Sequence, residues 1–215
     1  MATLAPMNLV VITPRANLPV SLSDAKGYLR VDHAADDALI TSLIGAATDM
    51  VERSTRRVLV RQTYRWTLPD FPSMRFRGDT VAPLELPRSP AVEITAGGSY
   101  IYDMPRVQYL DTGGVLRTGV KDTDFELDLG TNPPSLQLPP SRFWPLTQPG
   151  KAKRVFIDFV AGYSDTSAGV PELLRQAVMM LTAHWYEHRE AVGSYGAEIP
   201  LAVDSIMRIY SDGGM

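Results

Sequence analysis

Residues 171–189, PELLRQAVMMLTAHWYEHR, carry the strongest periodicity in the chain. Leu174, Val178, Leu181 and Trp185 fall at i, i+4, i+7 and i+11, which is one face of an α-helix. Leu173, Ala177 and Met180 are expected to widen that stripe. Pro171 suits a first helical turn, where a missing N–H costs nothing, and Glu172 complements the positive end of the macrodipole. His188 and Arg189 make the last turn cationic, and Gly193 is the expected stop. A helix with so broad an apolar face has to pack on something, and its expected partners lie at the other end of the sequence.

Those partners are legible. Ser21-x-x-Asp24 resembles a capping box and opens a short helix that ends near Val31, with Leu22, Ala25, Tyr28 and Leu29 on its apolar side. A longer helix is expected over about 36–57. There Leu39, Ile40, Leu43, Ile44, Ala47, Met50 and Val51 repeat at helical spacing, with Asp36 and Asp37 at the N-terminal end and Arg53, Arg56 and Arg57 at the C-terminal end. Ahead of both, Leu9-Val-Val-Ile12 is short and β-prone.

From Val58 to Tyr163 helical period gives way to short alternating runs broken by Pro and Gly. Strands are expected at 58–68, 84–86, 92–96, 99–102, 107–110, 125–129, 135–138 and 154–160. Tyr64, Trp66 and Leu68 alternate with Arg65 and Thr67 in the pattern of a half-buried strand, and Asp111-Thr-Gly-Gly114 is a turn signal. The Pro-rich pieces 69–72, 83–90 and 133–149 read as loops or edges. The reading is therefore α+β, a helical bundle made by the N- and C-terminal helices with an inserted antiparallel β-rich subdomain of sandwich or barrel type. Its expected parts are 1–57 as the N-terminal helical part, 58–163 as the β-rich insert, 164–192 as the long C-terminal helix, and 193–215 as a linker with a short amphipathic segment.

Composition narrows the function. The 215 residues hold 45% hydrophobic side chains, enough for a core, and the 21 Lys+Arg against 24 Asp+Glu leave a net charge of −3. That balance argues against nucleic-acid binding driven by a basic surface, though not against passive contact with DNA. The absence of Cys removes disulfides, thiol catalysis and thiolate metal sites. No apolar run approaches the ~20 residues of a membrane span, and MATLAPMNLVVITPRA lacks the pattern of a signal peptide. A soluble intracellular protein is expected.

Several constellations need weighing. His184-Trp-Tyr-Glu-His188 fits H-x-x-E-H, in which two His one turn apart chelate zinc and Glu187 acts as base. A third ligand is not marked, and an ordinary cationic helix end explains the same residues. Asp32, His33, Asp36 and Asp37 are better explained by Asp near a helix start than by a metal. Gly97-Gly98 and Gly113-Gly114 lack the Gly-Lys-Ser/Thr of a phosphate loop. Arg53, Arg56, Arg57 and Arg61 read as a solvated helix end before a basic patch. Trp66 and Trp185 read as core or junction residues. Trp144, in a Pro-rich loop, is the tryptophan expected at an interface. The C-terminal segment 201–210 presents Val203, Ile206, Met207 and Tyr210 on one face and needs a partner, either its own bundle or another subunit.

The order of pieces resembles the head–tail connector (adaptor) proteins of long-tailed phages, prophages and gene transfer agents. The resembling pieces are Pro19-Val-Ser-Leu-Ser-Asp-Ala-Lys26, Leu29-Arg-Val-Asp32, Asp36-Asp-Ala-Leu-Ile40, Ile44-Gly-Ala-Ala47, Gln62-Thr63, Leu86-Pro-Arg-Ser-Pro90, Phe159-Val-Ala-Gly-Tyr163, Val170-Pro171, Gln176-Ala177, His184-Trp-Tyr-Glu-His-Arg-Glu190 and Pro200-Leu-Ala-Val-Asp204. They run in family order over nearly the whole chain.

The resemblance implies a structural virion protein at the head–tail interface, assembled in the bacterial host cytoplasm. It would have no enzymatic activity, cofactor or metal. It implies a ring, usually of twelve subunits, that grips the portal protein on one side, receives a stopper or tail-completion protein on the other, and passes double-stranded DNA through its lumen. The family's use of C-terminal arms suggests that the segment after Gly193 reorganises on assembly and docks on the portal. Two alternatives stand beside it: a zinc-dependent hydrolase using His184, Glu187 and His188, and a β-sandwich ligand-binding module at 58–163.

Overall fold

The computed structural model describes residues 8–72, 76–77, 80–81, 83–94, 103–140, 142–188 and 199–211. The expected strand at 99–102, Gly97-Gly98, Arg189, Glu190, Gly193 and the tail 212–215 lie outside the described residues. The chain forms two compact units. One combines Arg15–Arg61 with Gly162–Met215, and the other combines Met1–Pro14 with Gln62–Ala161.

The first unit is the helical bundle. It contains α1 (Leu22–Leu29), α2 (Asp37–Thr55), α3 (Glu172–Glu187) and α4 (Leu201–Ser211). Ser21 caps α1, its Oγ accepting from the Asp24 N–H at 3.0 Å, and satisfies one of the orphan donors of a helix start. Both α1 and α2 end on an arginine in the left-handed region, Arg30 at φ 58° and Arg56 at φ 57°. The core is the meeting of the helical stripes: Ile40, Ile44, Ala47 and Val51 of α2 against Leu174, Ala177, Val178 and Leu181 of α3, closed by Ala25 of α1 and by Val203 and Met207 of α4. Each fully buried Ile, Leu or Val side chain here contributes on the order of 1.5–3 kcal/mol.

The stripes are narrower than the apolar sequence pattern. Leu173 and Leu39 are 49% and 38% exposed. Each stands one residue, about 100°, before a fully buried neighbour, Leu174 or Ile40, and so falls at the rim of the covered arc. Three buried threonines, Thr48, Thr55 and Thr182, hand their hydroxyls to the carbonyl four residues back. Buried Glu52 accepts from the Leu59 N–H at 2.8 Å and from Arg15 at 3.2 Å, which ties the end of α2 to the chain leaving it.

That departing chain runs beside the chain returning into α3. The Arg61 N–H donates to the Ser164 carbonyl at 2.9 Å and the Tyr163 N–H to the Leu59 carbonyl at 3.3 Å. The approach is so close that a Cβ on Gly162, which sits at φ +134°, would lie 2.6 Å from Arg61 Cα. Only glycine fits there.

The second unit is antiparallel throughout its named strands. Its six-stranded sheet runs β1 (Asn8–Thr13), β2 (Gln62–Leu68), β11 (Val155–Ala161), β7 (Arg106–Leu110), β8 (Leu116–Thr118), with β6 (Ala91–Val92) also paired to β11. A three-stranded sheet joins β5 (Leu84–Glu85), β10 (Ser135–Gln137) and β9 (Glu126–Asp128), and β3 (Phe76–Arg77) pairs with β4 (Thr80–Val81).

The centre is β2 against β11. Opposite pairs there are Tyr64 with Phe159, whose rings stack at 5.6 Å, and Trp66 with Ile157. On the other face Arg65 meets Asp158 in a two-pronged ion pair, both bonds 2.7 Å. The β7–β8 turn follows the Asp-Thr-Gly-Gly signal. Asp111 Oδ1 accepts from the Gly113 and Val115 N–H groups, and Gly114 takes φ +81°. The edge strand β1 leaves Val10, Val11 and Ile12 about half exposed.

Candidate functional site

The C-terminal helix is held by its own bundle. Val203 is fully buried and Met207 nearly so, and Ile206 and Tyr210 pack against the same cluster. Its last turn is clasped from α2. Arg57 donates through Nε to the Tyr210 carbonyl at 3.0 Å and through a terminal nitrogen to the Tyr163 hydroxyl at 3.1 Å, with its guanidinium 5.5 Å from the Tyr210 ring centroid. A cation on the exposed carbonyls of a helix end is favourable on dipole grounds as well. In this conformation the face formed by Val203, Ile206, Met207 and Tyr210 is covered, and the exposed side of α4 carries Leu201 and Ile209.

Trp144 lies in the β-rich unit. Its ring stacks on Phe71 with centroids 4.8 Å apart and planes 6° apart, and Phe71 meets Tyr109 edge-on. These rings line a cavity of about 70 Å³ together with Phe125 and the rim residues Asp124 and Arg142. Phe143 and Leu146 beside it are 54% and 76% exposed. The indole Nε1 of Trp144 is buried without an acceptor.

The remaining sequence candidates resolve into structure. His184 and His188 sit one turn apart, ring centroids 4.6 Å apart, and the backbone N–H of His188 closes α3 on the His184 carbonyl. Among the described residues no group of three or more His, Asp or Glu side chains is gathered as a metal set. The acidic joint is cross-linked by other groups. Asp36 accepts from the Tyr186 hydroxyl at 2.5 Å, and Lys26 reaches both Asp37 and the His33 carbonyl. Of the arginines at the end of α2, Arg57 is spent on α4, and Arg61 pairs with Asp165 at 2.9 Å. No helix among the described residues is long and apolar enough to cross a membrane.

Sequence reasoning did not find the Arg57 clasp or the Phe71–Trp144 stack. Each joins residues far apart in the chain, and no local spacing announces such a pair.

Bundle helices α1 and α2, followed by strand β2, form the stretch that decides the comparison with known proteins. Residues 19–88 match the family model of the phage gp6-like head-tail connector proteins. The connector resemblance carried by the Pro19–Lys26, Asp36–Ile40 and Gln62-Thr63 pieces falls inside that match. Similar solved chains come from gene transfer agent (GTA) particles. One, from the virion of the native particle, superposes with a TM-score of 0.73 at 23% identity, over 95% of this chain and 95% of that one. A second, from the neck of the empty particle computed with C6 symmetry, gives 0.70 at 23% identity with the same coverage. A third, from the neck of the native particle computed with C12 symmetry, gives 0.66 at 23% identity over 96% and 94%. No curated protein matches the chain. The match therefore runs through both units of this chain, bundle and β-rich insert alike.

Proposed function

We propose that the chain is a structural head–tail connector subunit. It forms a ring beneath a portal protein, joins the head to a stopper or tail-completion protein, lets double-stranded DNA pass through the lumen, and catalyses nothing. The observation that carries this reading is the connector family match over residues 19–88, on a fold that follows a GTA particle chain over 95% of its length. The twelvefold symmetry with which one such neck was computed supports a ring of twelve. A net charge of −3 suits a conduit that must release DNA, since tight phosphate binding needs clustered cations. Ring closure calls for heterologous contacts, a different patch on each side of the subunit.

Partner binding through Val203, Ile206, Met207 and Tyr210 is part of this proposal in one specific form. Because that face is occupied within the subunit, α4 has to leave the bundle before it can dock on a portal, and the Arg57 clasp has to open for it to do so. Trp144, at the mouth of its cavity, belongs to a separate contact.

Light scattering tests the reading. The purified protein is measured alone and mixed with cognate portal rings. A ring, or a monomer that joins portal in equal subunit ratio, is expected. A monomer that ignores the portal overturns the connector reading. Deleting 197–215 tests the arm, and portal binding unchanged by that deletion would sink it.

A further inference from the structure

The strands that end the two larger sheets differ in one respect. β8 carries Arg117, β5 carries Glu85, and β9 carries Glu126 and Asp128. β1, Asn8-Leu-Val-Val-Ile-Thr13, carries no charge and no Pro. It is six residues long against three for β8, and its outer side has no strand partner among the described residues. An open edge offers a row of unpaired N–H and C=O groups, which charge, Pro or shortness ordinarily guards. β1 has none of these guards. It also lies open on both faces, with Val10, Val11 and Ile12 at 55%, 43% and 47% exposure.

We infer that β1 pairs edge to edge with β1 of a second copy, antiparallel, about a twofold axis at Val10. The absence of charge decides for a copy of this chain. In such a contact each residue meets itself or a near neighbour, so a charged side chain would face its like, which destabilises a cross-strand pair. A twofold on β8 would set Arg117 against Arg117, whereas one on β1 sets valine against valine. Register follows from the faces. Leu9 lies opposite Trp66 and Val11 opposite Tyr64, so Leu9 and Val11 extend the side of the sheet on which those buried rings stand, and Val10, opposite Arg65, points to the other side. With the axis at Val10, Leu9 of each copy meets Val11 of the other on that same side, and the apolar face continues across the joint. A slip of one residue would set inner against outer side chains. The regular part of β1 ends at Val11, where the register with β2 shifts, which leaves Val10 as the centre that pairs both flanking residues. Two short strands fall below the ~1,200–2,000 Å² of a stable interface, so half-association is expected at about 0.1–1 mM. This contact is isologous. It is distinct from the heterologous contacts that close a ring, and it stands whether or not the connector reading does.

Light scattering of the full-length chain over a concentration series reads the pairing. The mass is expected to rise from one subunit towards two up to about 1 mM. Val10→Lys, which places two cations across the axis, is expected to weaken the association at least fivefold, and the neutral, β-prone Val10→Thr to preserve it. The chain has no Cys, so Val10→Cys adds a single thiol, and directly opposite Cβ atoms stand ~4.5–5.5 Å apart. Treatment with diamide is expected to give a disulfide-linked dimer at least tenfold faster than in Val120→Cys, whose site is 58% exposed and reports chance collision. The cysteine pair also reads a sample that is already a larger ring. Three results overturn the inference. One is the mass of a single subunit at every concentration, which leaves the edge to a different chain. Another is association that Val10→Lys does not weaken. The third is Val10→Cys cross-linking no faster than Val120→Cys.

Discussion

Arg57, one residue beyond the left-handed cap of α2, holds the carbonyl of Tyr210 at 3.0 Å and lies against the same residue's ring. One side chain thus makes a charge-assisted hydrogen bond, a cation–π contact and a bond to the Tyr163 hydroxyl. Arg57→Ala removes all three and is expected to loosen α4 by about 1–3 kcal/mol. Hydrogen exchange of the α4 amides should rise several-fold in this variant while those of α2 hold. Equal acceleration in both helices would mean that the clasp supports the whole bundle rather than its last helix.

The Arg65–Asp158 pair yields a second prediction. Asp158 is 3% exposed, whereas the Arg65 side chain is 44% exposed. Hydrogen bonding to Asp158 raises the Arg65 pKa further above its usual value, against a smaller opposing effect of burial. Removing the arginine strands a buried carboxylate. Arg65→Ala is expected to cost about 2 kcal/mol in urea denaturation, below the ~3–5 kcal/mol of a fully buried pair because the arginine is half in water. The shape-matched Arg65→Met combined with Asp158→Leu should recover most of that loss.

Gly162→Ala has no room. A Cβ would stand 2.6 Å from both Arg61 Cα and Arg61 N, at a φ of +134° that L-residues avoid. Both opposing atoms are backbone, so no side chain can swing aside. A loss of more than about 3 kcal/mol is expected, read as a collapse of the thermal unfolding temperature. Gly27→Ala, on a helix with nothing within 4 Å of the new methyl, serves as the control and should stabilise by up to about 1 kcal/mol.

Alkaline pH should act through Tyr163. Burial raises its phenol pKa above 10.0, with the charge and hydrogen bond of Arg57 pulling the other way. Below pH 10 the phenol keeps its proton folded and unfolded alike, so its full contribution is present. Above pH 10 the unfolded chain ionises first, and stability is lost as pH rises through the folded value. The urea midpoint of the wild-type protein should therefore fall more steeply above pH 10 than that of Tyr163→Phe. Parallel curves would show that another group governs alkaline unfolding.

How much of this was readable in advance follows from the range of the interactions. The α2 and α3 stripes and the alternation of β2 are local, period-bearing patterns, and they predicted the bundle and the central strand. Strands of two or three residues, such as β3, β4 and β8, are too short to express a period of two. The expected strand from Val58 starts later, at Gln62, because Leu59 and Val60 are buried in the helical core instead. The face of α4 was legible as apolar, but its cover was not. That needed Arg57 and the α2–α3 surface, brought in from far along the chain. At Trp144 the composition of the loop suggested an interface, and the stack on Phe71 and the orphan indole donor appeared only with the fold.

The order in which the pairings are made along the chain has a consequence for synthesis. β2 emerges early, yet its principal partner, β11, follows so late that the Arg65–Asp158 contact spans 93 positions. In the bundle, α2 waits in the same way for α3, with Asp36 and Tyr186 separated by 150. Neither unit can close on the ribosome until most of the polypeptide is out. A copy terminated ahead of β11 therefore has neither a finished sheet nor a finished bundle, and it presents β2 without its principal partner.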